Sequence, residues 1–158
     1  MTEFPVTVVD EGPMVRAALL LPGCPPDRVL AAFTDPPALR QWWGGDLTII
    51  PEPGGPYIVD FARLGQTMRG QVVGYQPGRS LEFTWAWDHE PGAAARTVLV
   101  TVTVPGAGPE DPGGTELTVL HGPHGEGAAE QAVRGEHREG WEYFLARLGQ
   151  FLTPAPSE

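Results

Sequence analysis

Along most of this chain, large apolar side chains alternate with polar or small ones, and near the C-terminal end the period changes to that of a long helix. Leu81, Phe83, Trp85 and Trp87 alternate with Glu82, Thr84, Ala86 and Asp88, the pattern of a strand with one buried face. Val98, Val100, Val102 and Val104 alternate with Thr97, Leu99, Thr101 and Thr103; Leu117, Val119 and His121 alternate with Glu116, Thr118 and Leu120. Tyr57, Val59 and Phe61 do the same with Ile58, Asp60 and Ala62. Met68 to Tyr75 and Leu47 to Ile50 read as two further strands, and Val15, Ala17, Leu19 and Leu21 as the first one. Pro22-Gly23, Pro53 to Pro56, Leu64-Gly65-Gln66 and Gln76 to Arg79 mark turns. Strands joined by such short turns pair antiparallel.

Two short helices interrupt the strands. Pro25-Pro26-Asp27 is a helix start, because proline is tolerated in the first turn. Val29, Leu30 and Phe33 supply its apolar face, and Asp35-Pro36-Pro37 ends it. A second helix carries Leu39 and one of Trp42 and Trp43 inward and stops at Gly44-Gly45. The last segment places Val133, Trp141, Phe144, Leu145, Leu148 and Leu152 at helical spacing. Its interior Gly135, Gly140 and Gly149 each cost about 1 kcal/mol against Ala, which a close approach of helix to sheet would offset. The sum is an α+β domain: a strand, two short helices, about six more strands, then a long helix. One domain over residues 1–158 is expected, with its core at about 14–152, a loop from His89 to Ala95, a surface loop at 105–114 and a frayed tail from Pro154.

Composition removes several classes of function. The 21 Gly and 18 Pro approach the level of disordered chains, but five Trp, six Phe and three Tyr within periodic segments argue for order. The net charge is −10 and every cationic residue is Arg. No basic stripe exists to displace counterions, so neither nucleic acid nor an anionic membrane is an expected partner. No apolar run approaches the roughly 18–20 residues of a membrane span. Met1 to Asp10 lacks the layout of a signal peptide. The single Cys24 fits a reducing cytoplasm. Without lysine there is no Schiff-base chemistry and no P-loop.

Several motifs occur together in order: Val29-Leu-Ala-Ala-Phe-Thr-Asp-Pro-Pro-Ala-Leu-Arg-Gln-Trp-Trp-Gly44, Gly54-Gly-Pro-Tyr57, Arg69-Gly-Gln-Val72, Leu81-Glu-Phe-Thr-Trp85, Gly114-Thr-Glu-Leu-Thr118 and Gly140-Trp141. From Met14 to Leu152 the chain resembles the activator of heat-shock-protein-90 ATPase homologue-like proteins, within the START and birch-pollen-allergen superfamily. The resemblance implies a START-like helix-grip fold, a curved antiparallel sheet of about six to seven strands around a long C-terminal helix, with a cavity between them. The expected function is binding of a small hydrophobic molecule in that cavity, without a catalytic constellation, cofactor or metal. The alternatives are a chaperone-associated interaction domain, with a chaperone or a second copy as partner, and a pocket enzyme such as a cyclase or hydrolase. The family's co-chaperone carries a separate N-terminal domain for which this chain is expected to have no room.

The candidate pocket residues follow from the alternating faces. The sheet would contribute Tyr57, Val59, Phe61, Met68, Phe83, Trp85, Trp87, Val100 and Leu117; the long helix Trp141, Phe144, Leu145 and Leu148; the short helices Phe33, Trp42 and Trp43. These side chains form either an ordinary core or a cavity wall. A dry void of about 300 Å³ would cost roughly 7 kcal/mol, so such a space would be filled by side chains, water or ligand. For an enzyme, Tyr57, His121 and Asp60 are the available acid-base groups, and strand parity turns Asp60 and Arg69 outward. His121, His124 and Glu126 match no zinc signature and read as polar loop residues. Cys24 reads as a small, partly buried residue.

Overall fold

The computed structural model describes residues 6–90, 96–104 and 114–153. The expected tail and most of the loops 89–95 and 105–114 lie outside the described residues. The elements are β1 (Thr7–Glu11), β2 (Met14–Leu21), α1 (Pro26–Ala31), α2 (Pro36–Trp42), β3 (Asp46–Ile49), β4 (Pro56–Phe61), a 3-10 turn (Ala62–Leu64), β5 (Gln66–Gln76), β6 (Ser80–Trp85), β7 (Arg96–Thr103), β8 (Thr115–Gly122) and α3 (Ala128–Leu152). They form one antiparallel sheet in the order β1-β2-β8-β7-β6-β5-β4-β3, with α3 packed against it. This is the helix-grip α+β architecture, with eight strands rather than six or seven. The additional strand is β1, whose Thr-Val-Val-Asp-Glu sequence is mostly exposed and has no alternation to betray it.

The inner face collects the alternating residues. Val15, Ala17 and Leu19 of β2, Val98 and Val100 of β7, and Leu117 and Val119 of β8 are all buried. Asp60 and Arg69 are exposed, as parity requires. β5 carries an irregularity between Val72 and Gly74, the kind of bulge that bends a sheet. At Gly70 a Cβ would collide with the Thr84 carbonyl, so β5 and β6 approach closely there. The Thr84 hydroxyl accepts from the Gln71 N–H at 2.8 Å in place of a ladder bond. β6 ends at Trp85, and Trp87 is held by an isolated bridge to Met68 rather than by a continuous strand.

Helix α3 lays Trp141, Leu145, Leu148 and Leu152 into the core. Its first inward position is Arg134 rather than the expected Val133. The guanidinium donates to the Gly12 and Met14 carbonyls, and its Nε lies 3.0 Å from an Asp10 carboxylate oxygen, out of line for a hydrogen bond. Arg138 donates to the same carboxylate at 2.9 Å, and together they fasten the β1–β2 hairpin to the helix. The close approach expected at the helix glycines is absent at Gly140, where an added Cβ would meet nothing within 4 Å.

Candidate functional site

The two adjacent tryptophans at the end of α2 are both buried. Trp42, inside the helix, donates its indole N–H to the Ala32 carbonyl at 2.9 Å. Trp43 is the C-cap, so helical periodicity no longer dictates its direction. It stacks on Trp42 at 5.2 Å between centroids and reaches toward the sheet and α3. Gly44, at φ +83°, turns the chain away behind it. Phe61, Trp85, Trp87 and Trp141 gather around Trp43 with successive centroid separations of about 5.5–6.4 Å.

Between these rings lies a cavity of about 240 Å³. Trp43, Phe61, Trp85, Trp87, Trp141 and Phe144 line it, with Leu64, Gln66, Glu136, His137 and Gly140. Leu64 and Glu136 are exposed and mark its mouth. The other candidate residues lie away from this wall. Phe33, Trp42, Tyr57 and Phe83 fill the far end of the interior: Tyr57 stacks on Phe83 at 3.9 Å, and Phe33 meets Trp42 edge-on at 4.9 Å. Val59, Met68, Val100 and Leu117 are sheet core, and Leu145 and Leu148 are the sealed part of the helix face. Large aromatics thus occupy most of the space between sheet and helix, and the cavity survives beside the middle of α3.

Three histidines cluster at this wall: His121 lies on a strand, against the loop reading, whereas His124 lies in the connection as expected but is buried. His121 lies on β8, fully buried and paired with Val98 and Val15. His124 is buried just after the strand. His137 reaches both from α3: its ring stacks on His121 at 4.1 Å, and its Nδ1 is 2.9 Å from His124 Nε2. His124 Nδ1 is 3.2 Å from the Pro13 carbonyl, which can only accept. The proton therefore sits on His124 Nδ1, His124 Nε2 accepts, and His137 Nδ1 donates. The Trp141 indole N–H donates to His121 Nδ1 at 3.0 Å, which places the His121 proton on Nε2. Burial pushes all three imidazoles below the ordinary histidine range, His137 to about 4. They are neutral at pH 7. Beside them, Arg96 is held by Glu130 at 2.9 and 2.7 Å and donates to the Pro123 carbonyl.

The acid-base candidates fare differently from what an enzyme would need. The Tyr57 hydroxyl donates to the Phe33 carbonyl at 2.6 Å, and burial drives its pKa up. Asp60 accepts from the Thr67 hydroxyl on the outer face. The Cys24 thiol is buried and its pKa raised by that burial. Among the described residues, no group of three His, Cys, Asp or Glu side chains has the arrangement of a metal site. His137 escaped the sequence reading. It precedes Trp141 by four residues and so shares its helix face, a signal that was available.

A family model described as Activator of Hsp90 ATPase homolog 1-like protein matches residues 23–153. None of the curated proteins compared matches the chain. Among solved structures, DynU16, from the dynemicin biosynthetic locus, is 30% identical with a TM-score of 0.72. The alignment covers 92% of this chain and 48% of DynU16, so the chain spans about half of that relative. CalU16 from Micromonospora echinospora is 22% identical over 96% of this chain and 86% of its own, with a TM-score of 0.65. The Aha1 dimer from Colwellia psychrerythraea is 14% identical over 91% and 98%, with a TM-score of 0.72. No helix among the described residues is long and apolar enough to cross a membrane.

Proposed function

The chain belongs to the Activator of Hsp90 ATPase homolog 1-like family, and from that premise we propose that it binds a small apolar molecule in the cavity between β6 and α3. The observation that carries this reading is the wall itself: six aromatic side chains around a space of about 240 Å³ with an exposed mouth. Aromatic rings joined by a few polar groups are the usual lining of a ligand site. The volume falls below the roughly 300–1,000 Å³ of typical ligand pockets, which favours compact occupants of two or three rings over steroids or long acyl chains. The relation to DynU16, a protein of a biosynthetic locus, supports a small metabolite as the occupant. A chaperone-associated role rests on the family name, whereas the cavity rests on residues of this chain.

A thermal-shift screen against fatty acids, compact aromatic polyketides and steroids tests the proposal. Occupancy at a hundredfold excess over Kd should stabilise by about 2.7 kcal/mol, or roughly 5–10 °C in Tm for a chain of this size. The compact aromatics should give the largest shift. No shift with any class would sink the proposal.

A further inference from the structure

Among the described residues that line the cavity, one carries a charge. Glu136 stands at the mouth, exposed, and its carboxylate has no ion pair or hydrogen bond among the described residues. Other acids of the fold are paired: Asp10, Asp46, Asp88 and Glu130 each meet an arginine. The arginines near this end of α3 are committed elsewhere, Arg96 to Glu130 and both Arg134 and Arg138 to Asp10. Arg63, beside Leu64 in the 3-10 turn, is exposed and is not part of the wall. One helical turn after Glu136, Gly140 also lines the cavity and has open space where a Cβ would stand, so that position adds no side chain to crowd the carboxylate.

This arrangement sorts occupants by charge. An anionic group entering the cavity meets no cation on the wall and one carboxylate at the mouth. An ammonium group meets that carboxylate, and close to it the half-buried Gln66, whose amide oxygen can accept. Aromatic rings, four of them indoles on this wall, attract a cation over their faces and offer an anion nothing equivalent. We infer that the occupant is an amine: a compact apolar skeleton held among the rings, with one ammonium group at the mouth against Glu136. This rests on the cavity being a ligand site, as proposed above.

The test titrates the full chain calorimetrically with 2-aminotetralin, 2-tetralol and tetralin-2-carboxylate, which are a cation, a neutral compound and an anion on one ring skeleton. The amine should bind most tightly and the carboxylate least, with a ratio of about fivefold or more between them, since an exposed ion pair is worth up to a few-fold in affinity and opposite charges count it twice. In Glu136→Gln that ratio should fall to within about twofold, and in Glu136→Arg the order should reverse. Glu82→Gln removes the same charge from the outer face of β6 and should leave the native ratio in place. A native ratio near unity, a preference for the carboxylate, a ratio that survives Glu136→Gln, or an equal loss in Glu82→Gln would each overturn the amine assignment and leave the cavity reading standing. Binding of none of the three compounds would overturn both.

Discussion

Tyr57 shows what strand parity can and cannot read. The alternation with Ile58 and Asp60 places its ring inward correctly, and the same rule leaves Asp60 in solvent. Parity cannot say what the hydroxyl meets. Its partner, the Phe33 carbonyl, lies between α1 and α2, 24 residues earlier, and no local pattern announces that contact. The bond ties the α1–α2 junction to the sheet, and a phenol held this way is an anchor rather than an acid. Tyr57→Phe would leave the Phe33 carbonyl buried without a partner, so we expect a loss of roughly 1–3 kcal/mol in urea unfolding. Because Tyr57 is away from the cavity wall, the thermal response to a bound compound should be unchanged. His121 illustrates the opposite failure. The alternation with Leu117 and Val119 puts it on an inward face, yet grouping it with His124 and the glycines suggests a loop. The strand pattern was the better guide.

At the scale of the element, α3 departs most from its sequence. Three glycines inside a 25-residue helix invite the explanation that they let helix and sheet approach. That fails at Gly140, which borders the cavity and has open space where a Cβ would stand. This glycine keeps the cavity open at the expense of helix stability. Gly140→Ala should therefore raise stability by about 0.5–1 kcal/mol in denaturant unfolding. Gly140→Leu should stay folded and abolish the thermal shift produced by compact aromatics, as its side chain fills their place. If the alanine variant is destabilised, the open-space account of Gly140 is wrong. β1 is the element least visible in the sequence. It pairs with β2 across the turn at Gly12-Pro13, and its Asp10 also meets Arg134 and Arg138, a contact across more than 120 residues. Propensity and periodicity have no access to such contacts.

For the whole molecule, the consecutive neighbours from β3 to β8 are legible, because successive alternating segments, joined by turns from β3 to β6 and by longer loops from β6 to β8, lie beside their predecessors. The pairing of β2 with β8, which sets Val15 opposite His121, joins the sheet over about a hundred residues and has no local signature. That long-range closure also brings His124 to Pro13 and His137 to both histidines, and it gives the folded state a dependence on pH. In the unfolded chain these imidazoles titrate near the ordinary value of 6.5; in the folded protein burial lowers all three, His137 to about 4. Between pH 6.5 and 4 the unfolded state therefore binds more protons. Stability is complete above 6.5 and declines as pH falls, by up to about 1.4 kcal/mol per pH unit for each histidine. Glu130, lowered from 4.5 to about 2 mainly by Arg96, contributes stability that is lost only below 4.5, so its window lies under that of the histidines. Tm should accordingly begin to drop near pH 6.5, well before carboxylates titrate. His137→Phe keeps a ring against His121 without the proton site, and should flatten the fall between pH 6.5 and 5. A native profile that is level from pH 7 to 5 would refute the neutral histidine cluster and with it the tautomers that leave His121 Nε2 a donor.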